Sequence, residues 1–206
     1  MAIGNYGELG AAVAGWLARD DLAGRIPSFI ALAEAAFNRE FRVRAMEQRA
    51  TASTVAGQQY YAWPGDLLEV RYIRLLGDPP AVLSYLSPAQ FAARETGAGR
   101  PRFWSDIQAA LALSPVPAGG ATVEIDYFRR LDLAAGGGDG NWLIGRHPDI
   151  YLYGSLMQAE PYLMNDPRAQ TWAQLLNAAV EQMNREDWRI KAGVDPRRVA
   201  ADYQGA

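Results

Sequence analysis

The chain contains no cysteine, which removes disulfides, thiolate metal sites and cysteine nucleophiles together and leaves the redox compartment unmarked. It has a single histidine, His147, so a histidine pair or a histidine-rich metal cage is excluded within one subunit. Lysine is nearly absent too: Lys191 stands alone among arginines, a bias that a GC-rich genome explains as well as any need for forked hydrogen bonding. Neither sign of charge dominates. Twenty Lys and Arg against 23 Asp and Glu give a formal charge of -3, too mild and too evenly spread for a phosphate-binding groove. No apolar run approaches the roughly 20 residues that span a bilayer, so no membrane partner is expected. No basic residue precedes Arg19, and the small residues between Tyr6 and Trp16 are too interrupted for a signal sequence, so the chain is expected to stay soluble in the cytoplasm where it is made. What is present is an ordinary globular composition, 50% hydrophobic and 21% charged over 206 residues, enough for one substantial core or two small ones.

The periodicity changes twice. Leu9, Val13, Trp16 and Leu17 share a helical face, and after Asp20-Asp21 a second stripe runs through Ile26, Ile30, Ala33, Phe37 and Phe41, with Pro27 in its first turn, where a missing N–H costs nothing. From about Met46 the period becomes two. Strands are expected at Thr51 to Val55, Gln59 to Trp63, Val70 to Leu76, Ala81 to Leu86, Pro101 to Ile107, Ala109 to Ser114 and Thr122 to Arg130, punctuated by Pro64-Gly65-Asp66 and Gly77-Asp78-Pro79-Pro80 and arranged as a meander. Ser87-Pro88 opens a short capped helix. In the last strand Val123, Ile125 and Tyr127 alternate with Glu124 and Asp126, which predicts one buried face and one wet face. The glycine-rich stretch 136–140 reads as a connector, followed by two helices. Pro161 is expected to kink or stop the first near Met157; Asp166-Pro167 starts the second, whose stripe is Trp172, Leu176, Ala179, Val180 and Met183. Residues 191–206 lose all periodicity and read as a tail that orders on a partner.

The fold class is therefore α+β: a discontinuous helical bundle of residues 1–45 and 141–190, with an antiparallel β domain of residues 46–135 inserted between its halves. No reactive constellation is visible. His147, just before Pro148-Asp149, reads as a capping-region residue, and Glu160, near an apolar stripe, as a structural hydrogen-bond acceptor. Glu124 and Asp126 form the nearest thing to a carboxylate pair, although a solvated strand face explains them. Residues 136–140 lack both the Gly-Lys-Ser/Thr ending and the GxGxxG spacing of a phosphate loop. Trp16, Phe37, Tyr153 and Trp172 occupy stripe positions and belong to a core. Tyr60, Tyr61, Trp63, Phe103 and Trp104 do not all fit one core, because neighbours on a strand point to opposite faces, so some are expected at a subunit or tail interface.

These residues resemble a family, the head-to-tail adaptors of tailed double-stranded DNA bacteriophages, also known as head-completion or tubular tail proteins. The resemblance lies in Trp16-Leu17-Ala18-Arg19-Asp20-Asp21-Leu22, the stretch 26–34, Pro64-Gly65-Asp66-Leu67-Leu68-Glu69, Ser87-Pro88-Ala89-Gln90-Phe91, Gly99-Arg100-Pro101-Arg102-Phe103 and the block 141–172, in the family's order over almost the whole chain. It implies a structural virion protein rather than an enzyme, with no cofactor and no metal. It also implies a ring, usually of twelve copies, beneath the portal protein, with the next tail component below and double-stranded DNA passing through the lumen without sequence-specific contact. A C-terminal segment reaching the portal corresponds here to Val194, Asp195, Pro196, Arg197, Arg198, Val199 and Tyr203. Mixed or negative charge is expected to line the lumen. The rival reading is a virion-associated peptidoglycan hydrolase or carbohydrate-binding module that uses Glu124, Asp126 and exposed aromatics.

Overall fold

A computed structural model of the chain describes residues 3–94, 97–134, 140–163 and 166–191, the side chains of 20, 166 and 189–191 excepted. Helices and antiparallel sheets together make the fold α+β. The chain divides into two compact units, Met1–Ala45 with Leu131–Ala206, and Met46–Arg130.

The first unit is helical. Asn5 caps α1 (Tyr6–Leu17) by accepting from the Glu8 N–H at 2.9 Å, satisfying one of the donors that a helix start leaves free. In α2 (Ile26–Glu40) the expected stripe is the buried one: Ile26, Ile30, Ala33 and Phe37 are all at most 5% exposed, and Phe41, at the C-cap, stacks on Phe37 with centroids 5.1 Å apart. Among the described residues, three helices rather than two follow residue 140: α4 (Trp142–Arg146), capped by the Asn141 carboxamide, α5 (Pro148–Leu163) and α6 (Asp166–Lys191). The short α4 escapes periodicity because five residues make barely more than one turn.

α5 packs against α1, α2, α4 and α6, and it buries residues on all sides, including Ile150, Tyr151, Gly154, Leu156 and Glu160. A helix surrounded in this way carries no single apolar stripe. Gly154 is what lets α2 approach, since a Cβ there would run into the Phe37 ring. Pro161 does not stop the helix near Met157; α5 runs on to Leu163. Lying in the final turn, the proline forfeits one ladder bond, the one its N–H would have given the Met157 carbonyl. Trp16 is a second correction, being 49% exposed rather than core, although its ring still meets Trp172 and Tyr153 edge-on at 5.5 and 6.3 Å. In α6, Trp172, Leu176 and Met183 are buried, while Ala179 and Val180 are half-buried.

The second unit is built from strands β1 (Glu47–Ser53), β2 (Tyr60–Ala62), β3 (Leu67–Leu76), β4 (Ala81–Val82), β5 (Ser84–Tyr85), β6 (Ala98–Gly99), β7 (Phe103–Ile107), β8 (Ala110–Ser114), β9 (Val116–Pro117) and β10 (Thr122–Arg129). It also holds α3 (Pro88–Ala92), with the expected Ser87 cap closed into a reciprocal box by Gln90. The strands do not form a meander. One sheet has the order β1-β10-β3-β4 and the other β2-β8-β7-β5, with β6 and β9 as a separate pair. The first strand thus lies beside the last, from Glu47 opposite Phe128 to Ser53 opposite Thr122. All ladders are antiparallel except two short ones, β5 with β7 and β6 with β9. β1 also starts at Glu47, four residues before the sequence pattern, because Glu47-Gln48-Arg49 is a polar stretch held by its β10 neighbour rather than by β propensity. The core of this unit is Ile73, Leu75, Leu83, Leu111, Leu113, Val123, Ile125 and Tyr127.

Candidate functional site

On β10 the apolar alternation is as expected, with Val123, Ile125 and Tyr127 in the core. The other face is not the wet one that alternation predicts. Glu124 and Asp126 are 7% and 4% exposed, covered by arginines from the flanking strands. Arg74 Nε reaches Glu124 Oε1 at 2.6 Å; Arg49 Nε and Arg71 Nη1 reach the two oxygens of Asp126 at 3.2 and 2.9 Å, and Arg71 also pairs with Glu47 at 2.9 Å. Only long, forked guanidinium side chains can lie over the central strand and satisfy carboxylates there. The hydrogen bond from Arg74 holds the Glu124 carboxyl below the usual carboxylate range despite its burial. A glycosidase general acid needs the opposite shift from that of Glu124, and both carboxylates are bonded to arginines of the same sheet.

Tyr127 continues the same strand, and its hydroxyl donates to Asp66 Oδ1 at 2.8 Å. Burial, then that carboxylate, pushes the phenol up to about 12. In the helical unit the parallel case is Tyr151, fully buried, donating to Glu34 Oε1 at 2.6 Å and accepting from Asn141 Nδ2 at 2.7 Å. Glu34 Oε1 also accepts from the Leu133 N–H at 2.8 Å. Burial, then the Glu34 charge, raises the Tyr151 phenol far above its ordinary value. Glu34 was invisible as an anchor in the sequence because its partners lie 99 and 117 residues away.

Glu160 is a side-chain hydrogen-bond acceptor, as its place near an apolar stripe suggests. It is fully buried, accepts from Trp172 Nε1 at 2.8 Å, and lies 3.4 Å from Arg168 Nε. His147 ends α4, its backbone N–H bonding to the Leu143 carbonyl, and its Nε2 lies 3.8 Å from Glu186. Around it Arg44, Arg146, Trp142, Met183 and Asp187 line an open hollow of mixed charge. Among the described residues, no group of three His, Cys, Asp or Glu is placed to hold a metal ion, and no helix is long and apolar enough to cross a membrane.

The five singled-out aromatics separate. Tyr61, Trp63 and Trp104 lean on the β core; the Tyr61 hydroxyl donates to the Gln58 carbonyl at 3.0 Å and Trp63 Nε1 to Asp106 Oδ1 at 3.2 Å. Phe103 is half-buried beneath the Arg94 guanidinium, 3.8 Å from its ring centre. Tyr60 points outward, 48% exposed. Sequence reasoning overlooked Tyr85, Val82, Tyr162 and Trp188, which are 55%, 67%, 54% and 67% exposed. For Trp188 a signal existed: five positions beyond Met183 on a helix turns it about 140° off the buried stripe. The C-terminal candidates Val194 to Val199 and Tyr203, and residues 136–139 of the connector, lie outside the described residues.

Among the described residues the structure thus offers surfaces: exposed aromatics on both units, and arginines laid over carboxylates on a sheet. No curated protein matches the sequence. The family model of the SU10 adaptor protein matches residues 4–200; the chain belongs to this family of phage head-to-tail adaptors, and its role is structural.

Proposed function

We propose that the protein works as one subunit of a closed ring, twelvefold in the manner the resemblance implies, that joins the portal of the filled head to the next tail component and lines the channel through which double-stranded DNA passes. The observation that carries this reading is the family match across residues 4–200. Head-to-tail contacts between identical subunits close into a ring when the rotation per subunit divides a full turn, and exposed Trp188, Tyr162, Tyr85 and Tyr60 supply the aromatic surface that such contacts use. Residues Val194 to Val199 with Tyr203 are the proposed portal contact, and Tyr60, Tyr61, Trp63, Phe103 and Trp104 mark the proposed faces toward a neighbouring subunit or the tail. Localisation is then the virion, at the head-to-tail interface, after synthesis in the host cytoplasm. The near-balanced charge favours a channel that DNA slides through without adhering.

The experiment is reconstitution. Purified full-length chain mixed with purified portal should give portal particles bearing a second ring when viewed by electron microscopy, and the chain lacking residues 192–206 should dock poorly. A chain that neither binds portal nor occurs in purified virions would overturn the reading.

A further inference from the structure

Sheet edges leave backbone N–H and C=O groups without partners, and natural proteins protect them by keeping edge strands short, bulged or interrupted by proline. Three edges of the two four-stranded sheets follow that rule, since β4 and β5 have two residues each and β2 has three. β1 is the exception, guarded only by the charges of Glu47 and Arg49. It has seven residues, with neither proline nor glycine, and among the described residues it pairs with β10 alone. Its register with β10 is unbroken from end to end, whereas the β10–β3 ladder shifts twice. Gln48, Arg49, Thr51, Ala52 and Ser53 are all exposed.

The ladder also shows which groups point outward. The Thr54 N–H donates to the Ala121 carbonyl at 2.7 Å, so by the alternation of an antiparallel pair Ala52, Ala50 and Gln48 turn their backbone groups to β10, and Ser53, Thr51, Arg49 and Glu47 turn theirs to the open side. Among the described residues, no backbone–backbone bond beyond the β10 ladder is made by β1.

β10 illustrates what β1 accepts. On one face Val123 and Ile125 lie opposite Ala52 and Ala50; on the other Asp126 lies opposite Arg49 and is bonded to it. The same side chains border the open edge. Ala50 and Ala52 are small, which leaves room for bulky apolar neighbours, and the Arg49 side chain is 60% exposed beside its single bond to Asp126. Within this chain, the one apolar and acidic alternation of that kind, Val123 to Tyr127, is already held between β1 and β3.

We propose that the open edge of β1 receives an extended strand from another protein, one whose residues alternate bulky apolar with acidic side chains, adding a fifth strand beyond β1. Backbone bonds to Arg49, Thr51 and Ser53 hold the strand, Ala50 and Ala52 seat its apolar residues, and Arg49 pairs with an acid. This proposal does not depend on ring formation.

The test uses the full-length chain and a synthetic peptide of about seven residues, the length of β1, alternating valine with glutamate. The peptide should bind, a valine and arginine peptide should bind more weakly, and Thr51→Pro should weaken binding roughly tenfold or more. Because the Thr51 N–H faces the open side, proline there blocks the edge without cutting the β10 ladder. A second measurement needs no variant: the amide hydrogens of Arg49, Thr51 and Ser53 should exchange fast in the free protein and become protected with peptide, while those of Ala50 and Ala52 are protected in both states. Absence of peptide binding, or binding that leaves the exchange of Arg49, Thr51 and Ser53 unchanged, would overturn the proposal. So would self-association that Thr51→Pro abolishes while the peptide fails to bind, which would give the edge to a second copy.

Discussion

At the scale of single residues, two buried phenols and the carboxylates they meet do more to fix the chain than any charged surface group. Tyr151 donates to Glu34 from a fully buried position, and Glu34 in turn holds the Leu133 N–H. Tyr151→Phe leaves the carboxylate and the Asn141 amide each short of a partner, so it should cost about 1.5–3 kcal/mol, the range for hydrogen bonds to charged groups, read as a drop in denaturant midpoint without a change in slope. Tyr127 allows a pH test. Its phenol ionises at about 12 in the folded chain against about 10 when unfolded, and a group whose folded value is raised favours the folded state most where it is still protonated in both states. Its contribution is therefore complete below about pH 10 and disappears between 10 and 12. Comparing thermal midpoints of wild type and Tyr127→Phe across that window should show the wild-type advantage shrink as pH rises, and the absorbance titration of the variant should lack the step near pH 12.

Among the elements, α2 and α5 approach closely at Gly154, where a Cβ would meet the Phe37 ring. Alanine there gains about 1 kcal/mol in helix propensity but drives a methyl group into the Phe37 ring, already stacked on Phe41 and edge-on to Tyr151; overpacking costs about 1–3 kcal/mol. Gly154→Ala should thus lower the thermal midpoint, whereas Gly15→Ala, in α1 with open space around it, should not. Phe37 was legible from the sequence and Gly154 was not, for a physical reason. The α2 stripe reports its own buried face, but a glycine inside a helix says only that something comes near. The same limit explains the strands: alternation located β3, β7, β8 and β10, since each presents a face to a core, yet the position of β1 beside β10 rests on pairing between residues about 70–80 apart, which no local period encodes. Glu124 and Asp126 looked solvated because alternation distinguishes apolar from polar faces, and the arginines that cover the polar face come from two other strands. The exposed aromatics were half legible. Consecutive aromatic residues on a strand announced that one must face out, and Tyr60 does, while Trp188 and Tyr162 were concealed by helices whose stripes drew attention to their buried sides.

For the whole molecule, the pairing of β1 with β10 carries the main consequence. The first and last strands of Met46–Arg130 lie side by side, Glu47 opposite Phe128, so that unit begins and ends at neighbouring points and encloses its own core of eight buried residues. Leu131, immediately after it, already belongs to the helices: its N–H and carbonyl are bonded by the Asn38 side chain at 2.6 and 3.0 Å. On the other side of the crossing, the Arg130 N–H donates to the Asp66 carbonyl at 2.8 Å, and a unit with a core of its own is one that can fold alone. An excised fragment of residues 46–130 should unfold cooperatively and show a dispersed amide spectrum, with the Tyr127 phenol still titrating near 12 as in the full chain. The complementary chain, 1–45 joined to 131–206 through a short glycine linker, should keep its helical circular dichroism. A fragment 46–130 without cooperative unfolding would mean that the β unit needs the helices for its stability.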